Sequence, residues 1–260
     1  MAEAINMSIQ DYYIPELTMD KLLLAAKFVR KFDKDDYRNE AIRSICIDEF
    51  GITATDGCHL VQFPFETEFH DFSHEPRKFL PVLGPEWKYL AEKYQEQRMK
   101  NGVVIRPCIR YEDGKGWMLH AEWGICDVNI GLGNHFPNYH NVVPLGYTGQ
   151  PIELTETNRR AVVQWLSKQK SKSMVTMQAE GHRVWLTWRY EDGTISPDVG
   201  VEWEGLELED VNFKPMHFYV HRLLPMFRTL KHTKMEWSDN LSPVRFTGGD
   251  GWAILMPMRQ

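Results

Sequence analysis

Two stretches, Glu16-Leu17-Thr18 and Glu153-Leu154-Thr155, each precede an amphipathic segment and decide how the chain is divided. The first is followed by MDKLLLAAKFVRK and the second, 137 residues later, by ETNRRAVVQWLSK. A threonine directly before such a run suits a helix N-cap, because its hydroxyl accepts a backbone N–H. We therefore predict helices over roughly 19–32 and 155–169, with Glu16 and Glu153 ending short strands. At this offset Ala25, Ala26, Phe28 and Val29 fall on Val162, Val163, Trp165 and Leu166.

A second match lies near the ends of the two halves. Gly116-Trp117-Met118-Leu119 resembles Gly251-Trp252-Ala253-Ile254 at an offset of 135. Two matches with nearly the same offset, which we call the anchors of the repeat, indicate an internal duplication. The alternative is a chance similarity of two α/β segments. The predicted domains are residues 1–135 and 151–260, and the Gly- and Pro-containing stretch 136–150 is the predicted linker.

Each half is predicted to contain a second helix and several short strands. The second helices are expected over roughly 85–99 and 217–231, with a kink or broken turn at Pro225. Alternating polarity and repeated Asp-Gly pairs favour half-buried antiparallel strands, so the predicted class is α+β. The strands are expected at Ser44–Asp48, Leu60–Phe65, Phe79–Leu83, Val103–Arg110, Trp117–Glu122 and Cys126–Ile130, and at Met174–Gln178, Arg183–Tyr190, Val199–Glu204, Lys234–Trp237, Val244–Phe246 and Trp252–Met256.

The composition excludes several classes of protein. The 260 residues are 43% hydrophobic and 25% charged, which is typical of soluble globular proteins. No stretch resembles a membrane span or a signal peptide. The four cysteines show no zinc-type spacing, so a reducing cytoplasm is the expected location. His70 and His74 have i, i+4 spacing but no third ligand, and the sequence predicts neither a metal site nor a cofactor.

Charge is distributed unevenly along the chain. The net charge is −6, which by itself argues weakly against nucleic acid as a partner. The helical windows 19–34, 84–100, 157–172 and 217–234 contain 18 basic and five acidic residues, or +13. The rest of the chain therefore carries −19. If the four helices share one surface, the protein has a positive face on a negative body.

The basic residues in these windows are candidates for phosphate contact. Lys27, Lys31 and Lys34 recur at helical spacing, as do Arg160, Gln164 and Lys168. Such contacts hold nucleic acid without reading its sequence, and the alternative is an ordinary solvated helix face. The candidate DNA-binding residues are Lys27, Lys31, Lys34, Lys88, Arg98, Arg159, Arg160, Lys168, Lys170, Lys172, Arg222, Arg228 and Lys231.

Four motifs carry a resemblance to a known family. They are TATDGCHL at 53–60, FPNYHNVVP at 136–144, SDNLSPV at 238–244 and the terminal MPMRQ at 256–260. In order and spacing they resemble motifs of the bacterial DNA polymerase III β subunit, the β sliding clamp. The resemblance covers roughly residues 10–260 and matches the second and third of the family's three domains.

The resemblance implies a DNA clamp fold and a role as a processivity factor. In the family, helices line the inner wall of a six-domain ring around duplex DNA, and sheets form its outer wall. Two domains per chain then imply a homotrimeric ring. The implied partners are duplex DNA, a DNA polymerase, a clamp loader and other clamp-motif proteins.

The resemblance also implies a cleft for partner peptides. In the family, an apolar cleft between the second and third domains captures short peptides. The matching positions are Thr55, Gly57, Cys58, His59, Leu60, Pro137, Val142, Leu241, Pro243, Ile254, Met256, Pro257, Met258 and Arg259. Cys58, His59 and Asn141 depart from the residues usual in the family, so the peptide preference is expected to differ.

Two other functions are weighed against the clamp. A clamp-fold interaction protein, or modulator, would bind clamp-type peptides or a host clamp without encircling DNA. An enzyme would need catalytic groups, yet the sequence has no nucleophile elbow, P-loop or paired catalytic carboxylates. His135 and His140 near Asp127 are the only acid–base candidates, and they adjoin the linker motif. The sequence therefore favours a non-enzymatic protein.

Overall fold

A computed structural model gives the fold of the chain. It describes residues 9–29, 44–66, 78–82, 85–101, 105–123, 126–133, 136, 138–144, 146–147, 151–180, 183–190, 192–203, 213–249 and 251–258. The chain divides into two units, Met1–Asn138 and Tyr139–Gln260. We call them unit 1 and unit 2.

Unit 1 consists of two antiparallel sheets and two helices. One sheet has the strand order β1-β6-β7-β8, and the other has the order β5-β2-β3-β4. In chain order the elements are β1 (Ile9–Tyr12), α1 (Met19–Ala25), β2 (Ser44–Asp48), β3 (Gly51–Thr55), β4 (His59–Pro64), β5 (Lys78–Pro81), α2 (Pro85–Asn101), β6 (Cys108–Glu112), β7 (Gly116–Trp123) and β8 (Cys126–Gly131).

Unit 2 repeats this composition. Its sheets have the orders β9-β14-β15-β16 and β13-β10-β11-β12, and every pairing is antiparallel. The elements are β9 (Ile152–Glu153), α3 (Glu156–Ser167), β10 (Met174–Glu180), β11 (Arg183–Arg189), β12 (Ile195–Trp203), β13 (Phe213–Tyr219), α4 (Val220–Arg228), β14 (Lys234–Glu236), β15 (Val244–Gly248) and β16 (Gly251–Leu255).

The two units share one topology. Each has a strand, a helix, four strands, a second helix and three strands, and the first strand joins the last three in one sheet. The predicted α+β class and internal repeat are therefore confirmed. The anchor at Gly116 and Gly251 is wrong, however, because β7 is the middle of the last three strands whereas β16 is the third.

The threonine anchor of the repeat is confirmed by hydrogen bonds. The Thr18 hydroxyl accepts from the backbone N–H of Lys21 at 3.2 Å, and the Thr155 hydroxyl accepts from that of Asn158 at 3.1 Å. Both hydroxyls satisfy a donor that the first helical turn leaves without a partner. Glu153 ends β9 as predicted, whereas Glu16 lies in a turn beyond β1.

A separate apolar core lies inside each unit. In unit 1, α1 packs on β3 and β4 through Met19, Leu22 and Ala25, all fully buried. In unit 2, α3 and α4 lie side by side, and Phe227 of α4 meets Phe246 edge to face with ring centroids 5.7 Å apart. Burial of these faces is the main stabilising term for helices this short.

Two predicted helices have different bounds in the structure. Helix α1 ends at Ala25 and continues only as a 3-10 turn to Phe28, because Val29 is extended with ψ 149°. Lys27 therefore lies in a 3-10 turn rather than in α1, and Lys31 and Lys34 lie outside the described residues. Residues 217–219 belong to β13 rather than to a helix, since Phe218 and its neighbours pair with β10.

Proline inside the last helix does not interrupt it. Helix α4 runs through Pro225 without a break and ends three residues later at Arg228.

Among the described residues, no helix is long and apolar enough to cross a membrane.

Candidate nucleic-acid and peptide-binding surfaces

Helix α3 presents a polar stripe to solvent. Arg160, Gln164 and Lys168 are exposed at i, i+4 and i+8, while Val162 and Leu166 on the opposite face are fully buried. The side chain of Arg160 is 76% exposed, and its Nε donates to Glu156 at 2.8 Å. The stripe therefore keeps two long basic side chains accessible, as phosphate contact requires.

Arg159 holds the two helices of unit 2 together. Its Nη1 donates to the backbone carbonyl of Phe227 in α4 at 2.6 Å, and Nε and Nη2 donate to Glu156. Only 12% of its side chain is exposed. Hydrogen bonds from Arg159 and Arg160 lower the pKa of Glu156 to about 2. Glu156 belongs to α3 but lies one residue before the basic window 157–172. The charge counted for that window therefore omits a carboxylate that neutralises part of the helix.

The segments that follow α3 and α4 carry further exposed cations. Lys170 and Lys172 are exposed in the loop after α3. Arg228 is exposed in the last turn of α4, and exposed Lys231 follows it with φ +55°. Because α3 and α4 are neighbours, these positions extend the basic surface of the two helices within unit 2.

Arg222 lies against the C-terminal segment. Its guanidinium stands 5.5 Å from the ring centroid of Tyr219 and its Nη1 is 3.9 Å from the Met258 sulfur. The structure therefore places this predicted DNA-binding residue beside one of the predicted peptide-binding residues.

Among the described residues, unit 1 contributes fewer unneutralised cations than unit 2. Lys27 and Lys88 are exposed, whereas Arg98 forms an ion pair with Asp20. On α2, the carboxylate of Glu96 pairs with both Lys93 and Lys100, as helical spacing favours. Two predicted residues, Lys31 and Lys34, lie outside the described residues.

The turn at 55–59 is fixed by side-chain hydrogen bonds. The Asp56 carboxylate accepts from the backbone N–H groups of Cys58 at 2.7 Å and His59 at 2.9 Å. The Thr55 hydroxyl donates to the His59 carbonyl at 2.6 Å and accepts from the N–H of Gly57, whose φ is +85°. This turn therefore has little freedom to rearrange.

His59 joins the turn to the end of the first helical segment. Its Nε2 lies 3.0 Å from the Phe28 carbonyl, and its Nδ1 lies 3.1 Å from the Asp56 carboxylate. Burial opposes ionisation of Asp56, but the bonds from His59 and Cys58 outweigh it and lower its pKa to about 2. Leu60 is buried and Cys58 half-buried.

The predicted peptide-binding residues of unit 2 divide into exposed and buried sets. Leu241 is 52% exposed, and Pro243, Met256 and Met258 are half-buried. Ile254 and Pro257 are buried, so their side chains are not accessible to a peptide in this structure. Val142 is exposed in the 3-10 turn Tyr139–Val142, whereas Pro137 and Arg259 lie outside the described residues.

Hydrogen bonds hold this surface in shape. The Met258 N–H donates to the His217 carbonyl of β13 at 2.8 Å. Asp239 accepts from the N–H groups of Leu241 and Ser242, each at 2.7 Å, which fixes the turn that presents Leu241. Sequence reasoning missed the roles of Asp56 and Asp239, although an aspartate two residues before a turn N–H is a recognisable signal.

The structure describes only some of the residues considered as metal ligands or acid–base groups. Within the described ranges, no group of three or more His, Cys, Asp or Glu residues is arranged to hold a metal ion. The ring of His140 lies on that of Tyr139, with centroids 4.3 Å apart. His70, His74 and His135 lie outside the described residues.

Known proteins match the structure of this chain but not its sequence. No family model and no curated protein matches the sequence. The DNA polymerase sliding clamp of Caulobacter crescentus matches the structure with a TM-score of 0.69 at 16% identity, over 100% of this chain and 68% of the clamp. The clamp of Pseudomonas aeruginosa matches at 0.70 and 16%, over 97% and 66%. The DNA polymerase III β subunit of Bartonella birtlesii matches at 0.66 and 17%, over 98% and 66%.

The matches agree with the resemblance seen in the four sequence motifs. At these identities they show a common fold and no more. The chain has the α+β fold of the bacterial β sliding clamps, over about two thirds of their length.

Proposed function

We propose that the protein is a DNA sliding clamp that encircles duplex DNA and serves as a polymerase processivity factor. The observation that carries the proposal is the clamp fold along the entire chain. A clamp works by enclosure and binding, so the proposed role requires no catalytic group and no cofactor.

Contact with DNA is proposed through the basic residues of the helices and the segments after them. In unit 2 these are Arg160, Lys168, Arg228 and Lys231, all exposed. Lysine and arginine neutralise phosphates and release counterions without reading bases. Such contacts permit sliding, because no base-specific bond has to break at each step. Arg159 is left out of the proposed contacts, since its guanidinium bonds to Glu156 and Phe227.

Partner binding is proposed through the Leu241, Pro243, Met256 and Met258 surface of unit 2. Exposed and half-buried apolar side chains suit capture of a short peptide, and methionine adapts to different shapes. The proposed ligands are segments of a DNA polymerase, a clamp loader and other clamp-motif proteins, and the proposed setting is the cytoplasm.

Ring closure is proposed to require three copies of this chain. A six-domain ring built from two-domain chains needs a head-to-tail trimer, which must close by rotation to avoid filaments. Light scattering at micromolar concentration is expected to give a mass near three chains of 30.5 kDa each, and negative-stain images should show a central hole. A monomer without DNA affinity would contradict the proposal.

A second candidate function is a clamp-fold modulator that binds clamp-type peptides, or a host clamp, without encircling DNA. The Leu241, Pro243, Met256 and Met258 surface favours it, because exposed and half-buried apolar side chains can capture a peptide without help from the helix cations. The modulator predicts peptide binding that survives neutralisation of the helix cations and no retention on circular DNA.

A further inference from the structure

A basic and aromatic groove lies in unit 2, beside β10 and β11. It is a cavity of about 340 Å³, and its lining includes Lys170, Lys172, Trp188, Arg189 and Tyr190. The strand pairing explains the juxtaposition, because Met174 of β10 stands opposite Arg189 of β11 and the lysine loop directly precedes β10.

The loop that supplies the lysines is fixed to the neighbouring helix. The Val220 N–H donates to the Ser173 carbonyl and the His221 N–H to the Ser171 carbonyl, each at 3.0 Å. The His221 ring adds a third contact, with Nδ1 2.9 Å from the same Ser171 carbonyl. Lys170 and Lys172 therefore extend from a backbone that is already ordered, which lowers the entropic cost of binding.

The groove is positively charged. Lys170, Lys172 and Arg189 line it, and its described lining contains no carboxylate. The Nε of Arg189 is buried and has no hydrogen-bond partner among the described residues. Arginine and lysine side chains without a carboxylate partner are suited to pairing with an anion. Asp192 nearby bonds to the N–H and hydroxyl of Thr194 in its own turn.

Aromatic rings form the other part of the groove. Tyr190 is 52% exposed, although tyrosine usually buries most of its ring. Trp188 is supported from behind by Trp165, with centroids 5.1 Å apart. Trp165 in turn fills the space above Gly200, where an added Cβ would lie 2.0 Å from the indole. The packing of Trp165 between Trp188 and Gly200 therefore restricts the movement of the Trp188 ring.

We propose that this groove binds nucleotides of a single-stranded nucleic acid. Phosphates pair with Lys170, Lys172 and Arg189, and a base stacks on Tyr190 or Trp188. Positive charge interleaved with aromatic rings is the usual arrangement for single strands, whose bases are free to stack, whereas duplex bases are not. The groove also continues the basic surface of α3 beyond Lys168. An acidic peptide would use the cations but leave the aromatic faces unused.

Fluorescence anisotropy with a labelled dT12 oligonucleotide tests the proposal. Tyr190→Ala is expected to weaken binding about tenfold, in line with the usual loss of one base stack. Arg189→Gln is expected to weaken it several-fold and to make the salt dependence shallower by about 0.7, the loss of one phosphate contact. The matched control is Tyr89→Ala, which removes a tyrosine of similar exposure from α2 in unit 1 and should leave binding unchanged.

The outcomes distinguish this groove from other occupants and from the proposed clamp function. Absent dT12 binding, or binding that Tyr190→Ala and Arg189→Gln leave intact, would overturn the proposal. A glutamate decamer that binds the groove more tightly than dT12, with no dependence on Tyr190, would also overturn it, in favour of an acidic peptide. Retention on circular duplex DNA should be the same for Tyr190→Ala and the unaltered protein, so the groove and the ring are tested separately.

Discussion

Replacement of Arg160, Lys168, Arg228 and Lys231 together by glutamine is expected to lower the affinity for duplex DNA by at least about a hundredfold at 0.1 M salt. Each phosphate contact contributes close to one unit to the slope of log affinity against log salt, or roughly tenfold near this concentration. The four side chains are exposed and project from α3, from α4 or from the segment after α4. The salt dependence should therefore also become shallower.

A matched variant separates local contact from net charge. The matched variant removes an equal number of positive charges from exposed strand and loop positions, by glutamine at Arg106, Lys115, Arg183 and Lys214. We expect this control to keep most of the affinity, measured by anisotropy of a labelled duplex from 50 to 200 mM salt. Equal losses in the two variants would mean that only net charge matters, which contradicts a basic helical face.

Asp56→Ala is expected to destabilise unit 1 by about 2–3 kcal/mol at pH 7. The folded pKa of Asp56 is lowered to about 2, against about 3.9 in an unfolded chain, a difference worth about 2–3 kcal/mol. The substitution also leaves the N–H groups of Cys58 and His59 without their acceptor. Because His59 contacts the Phe28 carbonyl, the effect should spread beyond the turn.

The pH dependence of this loss has a definite sign. A carboxylate with a lowered folded pKa stabilises the protein above its unfolded pKa, and that contribution disappears as the pH falls from about 4 towards 2. Urea unfolding at pH 7, 4 and 3 should show the difference between Asp56→Ala and the unaltered protein narrowing below pH 4. Asp192→Ala serves as the control, since its exposed carboxylate caps a similar turn and should matter much less. A pH-independent difference would contradict this role for Asp56.

The fold was predictable where local signals and periodicity agree. Thr18 and Thr155 mark helix starts because a capping hydroxyl acts over three residues, and most strands show alternation or apolar runs. The end of α1 was not predictable, since the sequence continues a helical spacing through Lys27, whereas the backbone is already extended at Val29. The strand identity of 217–219 depends on pairing with β10, about forty residues away, which no local pattern reveals.

The candidate sites were predictable only in part for the same reason. The pairing of Arg159 with Glu156 follows from helical spacing, but its bond to the Phe227 carbonyl depends on the packing of α3 against α4. The charge of its helical window predicts Arg222 as a DNA-binding residue, whereas its contact with Met258 depends on the folding of unit 2. The groove at Arg189 was not predictable, because Lys170 and Lys172 come from one segment and Trp188, Arg189 and Tyr190 from another.

Retention on closed circular DNA tests the central proposal most directly. Chains assembled with a circular duplex at low salt are then separated by gel filtration at about 0.5 M salt, where the charges are strongly screened. An encircling ring should remain with the closed circle and be lost when the same DNA is cut once. Equal loss from circular and linear DNA would contradict encirclement and favour the modulator.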